Sequence, residues 1–92
     1  MRNTNVMRMQ VREFIQNAIY GYLNGCEDAG YEPLTEQGYI DYVFTTLELE
    51  KDIVVNGLEA RHLRFYGKEN ITAEIKRFIQ TDEWVKQWLK EE

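Results

Sequence analysis

Apolar residues recur at intervals of three and four along most of this 92-residue chain, which restricts what it can fold into. That spacing places them on one face of an α-helix. In the first third they are Met7, Val11, Phe14, Ile15, Ala18, Ile19, Tyr22 and Leu23. They predict a long amphipathic helix from about Asn5 to about Ala29. Gly30 suits the left-handed position beyond a helix end, and Pro33 prevents continuation.

Two glycines leave the end of this first helix open. Gly21 and Gly25 each cost about 1 kcal/mol in a helix interior relative to alanine. If the helix ends at Asn24–Gly25 instead, it is one turn shorter.

The second helix has a defined start. Thr35 suits the N-cap position, and Glu36 complements the positive end of the helix dipole. An apolar stripe follows, made of Ile40, Val43, Phe44 and Leu47. The helix should end near Glu50–Asp52.

Residues 53–66 fit two structures. Asn56-Gly57, between short apolar runs, is typical of a β-hairpin at residues 53–65. Against this, residues 58–61 are good helix formers, and a helical wheel gathers Leu58, His62, Phe65 and Tyr66 on one arc. We therefore favour a short helix at about 58–66, ended by Gly67.

The last third predicts two more helices. Asn70 can cap the first, and Thr81 can cap the second. Their apolar faces are Ile71, Ile75, Phe78 and Ile79, then Trp84, Val85, Trp88 and Leu89. The pair Trp84 and Trp88 either closes the core or offers an apolar ridge to a second subunit.

Together these patterns predict an all-α protein: a compact bundle of four to five short helices forming one domain over residues 1–92. No apolar run approaches the roughly 20 residues of a membrane-spanning helix. The N-terminus lacks the apolar core of a signal peptide, and a single cysteine, Cys26, forms no internal disulfide. We expect a cytoplasmic protein that does not contact the membrane.

The net charge of −5 is divided into blocks of alternating sign. Residues 1–12 carry +3, residues 13–59 carry −9, residues 60–80 carry +3 and residues 81–92 carry −2. Surfaces of different sign orient partners more than they define a fold. The blocks therefore indicate binding to another molecule.

Basic residues alternate with aromatic ones in the third block. Arginine and lysine can contact phosphates while aromatic rings stack on bases. Nucleic-acid binding is therefore an alternative function, with Arg61, Arg64, Lys68, Lys76 and Arg77 as candidate contacts. The simpler interpretation is a solvated helix face with Phe65 and Tyr66 in the core. The overall acidity favours the simpler interpretation, because it repels a polyanion.

The acidic block carries most of the tyrosines. Acids of this kind usually form a solvated helix surface, but exposed tyrosines are favoured interface residues. A protein-contact surface is therefore predicted around Tyr31, Tyr39, Asp41 and Tyr42, provided that the tyrosines are exposed.

Catalytic and metal chemistry have little support in the sequence. The chain has no serine, no metal-binding spacing and no glycine-rich phosphate loop. An enzyme would need Cys26 and His62 to meet, whereas Cys26 is expected to be a small buried hydrophobe and His62 a core or boundary residue. We expect no catalytic residue, metal or cofactor.

The leading expectation is thus a small acidic, non-catalytic protein-binding module that regulates or inhibits its partner. Small size, acidity and the lack of catalytic groups are typical of accessory proteins of phages and other mobile elements. The sequence leaves the choice between monomer and homodimer open, because small helical domains often bury part of an apolar face in a symmetric dimer.

Overall fold

The computed structural model describes residues 4–50, 52, 54–55 and 58–91. Within them the α-helices are α1 (Thr4–Asp28), α2 (Glu36–Leu49), α3 (Lys68–Thr81) and α4 (Glu83–Gln87). A two-stranded hairpin, β1 (Val54–Val55) and β2 (Leu58–Glu59), and a 3-10 helix, Ala60–Tyr66, lie between α2 and α3. The all-α prediction is confirmed.

The first helix runs through both of its interior glycines. It ends at Asp28, so the shorter alternative is excluded. Gly30 has φ = +78°, in the left-handed region, as the sequence predicted. The amide of Tyr31 donates to the carbonyl of Gly25 at 3.2 Å, which folds the chain back over the last turn of α1.

The start of α2 is also as predicted. The Thr35 hydroxyl accepts a hydrogen bond from the amide of Gly38 at 3.0 Å, which is the N-cap arrangement. The helix ends at Leu49, with Glu50 as its C-cap. The seven residues 29–35 join α1 to α2 and reverse the direction of the chain.

Residues 54–66 combine the two structures that the sequence left open. Val54 pairs with Glu59 and Val55 with Leu58 in an antiparallel hairpin; the Asn56-Gly57 dipeptide lies outside the described residues. The helix therefore starts later than our favoured range of 58–66, at Ala60, and it is of the 3-10 type. Gly67 ends it with φ = +104°.

The change of helix type corrects the predicted apolar arc. A 3-10 helix has three residues per turn, so side chains three apart lie on one face. Leu63 is buried and Tyr66 is half-buried, whereas Phe65 is 72% exposed. Placing Phe65 in the core was wrong, because that prediction used the α-helical period.

Two predicted caps were also wrong. Gly67, not Asn70, is the N-cap of α3, and the Asn70 amide donates to the carbonyl of Tyr66 at 2.8 Å. α3 continues through Thr81, and the carboxylate of Asp82 accepts from the amide of Val85 at 3.0 Å to cap α4. A carboxylate is a better acceptor than a hydroxyl for the amides at a helix start.

One hydrophobic core joins the four α-helices and the 3-10 helix. α1 contributes Val11, Phe14, Ile15, Ile19, Leu23 and Cys26, and α2 contributes Tyr39, Ile40, Val43 and Leu47. The remaining buried members are Leu63, Ile71, Ile75, Ile79 and Val85. Trp84 and Trp88 are half-buried and pack against this core, so the tryptophan pair closes it.

Candidate functional site

The molecule has two chemically different ends. α1 is roughly 37 Å long, and the longest dimension of the molecule is 43 Å. Tyr22, late in α1, contacts the start of α2, while Glu48, at the end of α2, pairs with Arg64 of the 3-10 helix. We call the last turn of α1, residues 29–35 and the first turns of α2 the acidic end. The start of α1, the end of α2, the hairpin and the 3-10 helix form the hairpin end.

A cluster of four tyrosines lies at the acidic end. The ring of Tyr22 is at its centre, 5.2 Å from the ring of Tyr31, 5.1 Å from that of Tyr42 and 5.9 Å from that of Tyr39. Its hydroxyl donates to the carbonyl of Glu32 at 2.7 Å. The cluster thereby fixes the loop between α1 and α2 on both helices.

The four predicted protein-contact residues occupy different environments. Tyr31 is 50% exposed and Asp41 is exposed, while Tyr42 is half-buried. Tyr39 is fully buried, and its hydroxyl donates to the carbonyl of Trp88 at 2.6 Å. Tyr39 is therefore a core residue, and it is removed from the candidate surface because its side chain does not reach solvent.

The acids around Tyr31 lack ionic partners. Across residues 4–50, 52, 54–55 and 58–91, no ion pair involves the carboxylates of Glu27, Asp28, Glu32, Glu36 and Asp41. Asp41 accepts from the Gln37 amide at 2.9 Å, and Glu27 from the indole of Trp84 at 2.8 Å. The backbone amide of Lys90 donates to the carbonyl of Leu34 at 2.8 Å, so the C-terminal segment also lies at this end. The end keeps a net negative charge.

Two of these acids stand where a helix disfavours them. Glu27 and Asp28 are in the last turn of α1, which contains no basic residue. The C-terminus of a helix carries a partial negative charge, so each carboxylate there costs free energy. A local rule broken in this way is expected at functional positions.

The five candidate nucleic-acid contacts are exposed but do not form one surface. Arg61 pairs with Asp52, which follows α2, and Arg64 pairs with Glu48 in α2 at 3.6 Å, so each of these two arginines has a carboxylate partner. Lys68 lies 6.0 Å above the ring of Phe44. The predicted basic stripe is thus largely compensated within the protein.

The two remaining candidates diverge on α3. Lys76 and Arg77 are consecutive residues, so their side chains leave the helix about 100° apart. Arg77 lines a groove between α3 and α1 with Arg12 and Phe78, whereas Lys68 lines a groove between α3 and α2. Arg61 and Arg64 line one groove, and Arg64 and Lys68 line the groove between α3 and α2. Arg77 lies in the separate groove beside α1, so a phosphate backbone would not meet all five cations on one face.

The cysteine and the histidine are not brought together. Cys26 is buried near the end of α1, and burial raises the pKa of its thiol. His62 lies in the 3-10 helix, whose last residue, Tyr66, contacts Arg8 near the start of α1. Arg8 and Cys26 are about 27 Å apart along α1. The geometry therefore offers no thiol–imidazole pair.

Among the described residues, no group of three or more histidine, cysteine, aspartate or glutamate side chains is arranged to hold a metal ion. Nor is any helix within that part of the chain both long enough and apolar enough to cross a membrane.

Comparison with protein-family models, with curated proteins and with solved structures finds no match to this chain. Its function must therefore be inferred from its own geometry. The sequence signal that located the acidic end was the combination of the −9 block with tyrosines. Which tyrosine is exposed was not predictable without the fold.

Proposed function

We propose that this protein is a non-catalytic protein-binding module that presents its acidic end to a basic surface of another protein. The observation that carries the proposal is the position of Tyr31. It is half-exposed, its ring lies 5.2 Å from that of Tyr22, and the neighbouring carboxylates form no ion pair within the part of the chain that the structure describes. By covering the partner's basic surface, the module would regulate or inhibit it.

The chemistry of this end suits a protein partner. An exposed aromatic side chain held in one position loses little conformational entropy on binding, and tyrosine is enriched among residues that dominate interface energies. The unpaired acids attract a basic partner over a distance and fix its orientation. Tyr31 and the half-buried Tyr42 both pack against Tyr22, so the surface combines an aromatic centre with a polar rim.

Nucleic-acid binding is the second candidate, through the five basic residues named above. The pairing of Arg61 with Asp52 and of Arg64 with Glu48 supports the protein-binding proposal over it. A phosphate would have to displace these carboxylates against a net charge of −5. The origin as an accessory protein of a phage or mobile element remains a prediction that the partner's identity would decide.

Affinity capture with matched variants tests the proposal. Immobilised wild type, Glu32→Lys and Glu69→Lys are incubated with lysate of the source cell at about 0.15 M salt, where long-range charge effects are already screened. Both substitutions change one exposed glutamate, at the acidic end or on α3. We expect a protein that wild type and Glu69→Lys retain and Glu32→Lys loses.

Two results would contradict the protein-binding proposal. Equal retention of every captured protein by Glu32→Lys and Glu69→Lys would contradict a role for the acidic end. Binding of duplex DNA or heparin at the same salt concentration, lost in Arg64→Glu, would favour the second candidate. Unfolding curves of each variant confirm that the changes act on binding and not on folding.

A further inference from the structure

A second surface stands out at the hairpin end, which the proposed function does not use. Leu49 is 78% exposed and Phe65 is 72% exposed. Phe65 is also held in place, since the ring of His62 stacks on it at 6.1 Å with an interplanar angle of 14°. Single exposed apolar side chains are normal on a protein surface, so these two matter only because the fold brings them to the same end of the molecule.

The exposed residues adjoin an ion pair. Leu49 follows Glu48 on α2, Phe65 follows Arg64 in the 3-10 helix, and Glu48 pairs with Arg64 at 3.6 Å. Leu49 and Phe65 are therefore attached to the two sides of one contact between α2 and the 3-10 helix. The fold itself brings them to the same end of the molecule.

Charge at this end forms two adjacent stripes of opposite sign. Arg61 and Arg64 are three apart in a 3-10 helix and so share a face, which forms the basic stripe. Glu48 and Asp52, which pair with them, form the acidic stripe. Side-chain exposure is 45% for Arg61, 55% for Arg64, 67% for Glu48 and 75% for Asp52, so all four are accessible from outside.

We propose that the hairpin end is a two-fold symmetric interface with a second copy of this chain. A two-fold axis between the stripes sets the basic stripe of each copy against the acidic stripe of the other, so the interface contains two equivalent contacts of this kind. The same rotation brings Phe65 of one copy onto Leu49 of the other. Each apolar side chain is thereby buried, and every exposed charge of the stripes meets one of opposite sign.

The distribution of charge supports a second copy as the occupant. Two chains of net charge −5 repel each other through most of their surfaces, above all through their acidic ends. The hairpin end is the surface where the stripes cancel. An interface confined to this end of the molecule would be small, at the lower end of specific interfaces, so we expect a weak dimer with a dissociation constant of ~1–100 µM.

The dimer leaves both acidic ends free. They lie at the far ends of the assembly, so it can engage two partner surfaces, and linking two such ends raises overall affinity without new contacts. This dimerisation is independent of the proposed function. Either surface can fail its test without affecting the other.

A charge-complementation experiment tests the symmetric arrangement. Arg64→Glu and Glu48→Arg are prepared separately, and sedimentation equilibrium is measured for each and for an equimolar mixture, at about 1 to 500 µM, a range that brackets the expected dissociation constant. In either variant alone, like charges face each other across the two-fold axis. In the mixture each new charge meets its opposite.

We expect wild type to dimerise, each variant alone to be monomeric, and the mixture to form a heterodimer. Restoration in the mixture separates the intermolecular pairing from the internal Arg64–Glu48 pair, which neither variant retains. Phe65→Glu should weaken the dimer by at least about tenfold, as expected for a central aromatic contact. Tyr31→Ser, at the acidic end, should leave its dissociation constant within about twofold.

Three results would overturn the proposal. These are a wild type that stays monomeric over the whole range, a mixture no more associated than its components, and a Phe65→Glu variant that dimerises like wild type. A monomeric wild type that binds a different protein through Phe65 would assign the same surface to another occupant. Circular dichroism of each variant verifies that it is folded.

Discussion

The aromatic ring of Tyr31 lies against the main chain of Gly25, so closely that a β-carbon on Gly25 would overlap it. This contact explains why α1 carries a glycine near its end, where alanine would favour the helix. The glycine lets the ring approach the helix backbone and stack beside Tyr22. Gly25 therefore determines where the Tyr31 ring lies on the proposed binding surface.

The two interior glycines of α1 give a matched test of this contact. Nothing lies within 4 Å of a β-carbon added at Gly21, so Gly21→Ala should raise the free energy of unfolding by about 0.5–1 kcal/mol. Gly25→Ala gains the same helix propensity but displaces the Tyr31 ring, and should fall at least about 1 kcal/mol below Gly21→Ala. Urea unfolding measures both. In a Tyr31→Ala background Gly25→Ala should become stabilising; equal gains in the wild-type background would contradict the contact.

The dipoles of α1 and α2 predict that replacing two acids of the acidic end changes the stability of the protein in opposite directions. Asp28 is in the last turn of α1 and Glu36 in the first turn of α2. Asp28→Lys should stabilise the protein by about 0.3–1 kcal/mol at low salt, and Glu36→Lys should destabilise it by a similar amount. Both change the net charge equally, so the opposite signs isolate the dipole effect. Thermal unfolding in low and high salt measures it, and changes of the same sign would count against it.

Stability at alkaline pH should depend on Tyr39. Burial raises the pKa of Tyr39 to about 12, compared with about 10 in an unfolded chain. The folded protein keeps a proton that the unfolded chain releases. This contribution is fully present below pH ~10 and is lost between pH ~10 and ~12, amounting to about 3 kcal/mol. The free energy of unfolding should fall more steeply over this range in wild type than in Tyr39→Phe, and parallel curves would contradict the assignment.

Substitutions at Leu63 and Phe65 test the face assignment of the 3-10 helix. Leu63 is 1% exposed, so Leu63→Ala should cost about 2–5 kcal/mol. Phe65 is 72% exposed, so Phe65→Ser should change the stability of the monomer by less than about 0.5 kcal/mol. Chemical unfolding at low protein concentration keeps dimerisation from contributing. The reverse ranking would restore the α-helical period that the sequence suggested.

The long helices were predictable because their patterns extend over several turns. α1 and α2 repeat their apolar spacing often enough to exclude a strand, and Thr35 is recognisable in the sequence as the N-cap of α2. The seven residues of the 3-10 helix are too few to separate a period of 3.0 from one of 3.6. The predicted caps at Asn70 and Thr81 were wrong because α3 begins earlier, directly after Gly67, and because the neighbouring Asp82 caps α4.

The candidate surfaces depended more on tertiary structure. The basic block could be identified in the sequence, but its neutralisation by Glu48 and Asp52 requires α2 to lie beside the 3-10 helix. The sequence does not distinguish Tyr31 from Tyr39, yet Tyr31 is exposed whereas Tyr39 is buried and its hydroxyl donates to the carbonyl of Trp88. Burial of individual tyrosines is set by packing partners from distant parts of the chain.

Titration calorimetry of the captured partner against wild type, Tyr31→Ala and Phe65→Ser tests most directly which end binds. If the acidic end is the binding surface, Tyr31→Ala weakens the affinity by at least about tenfold, as expected for a central aromatic contact. Phe65→Ser, at the opposite end, should leave it within about twofold. An affinity that falls with Phe65→Ser and is unchanged in Tyr31→Ala would contradict the account.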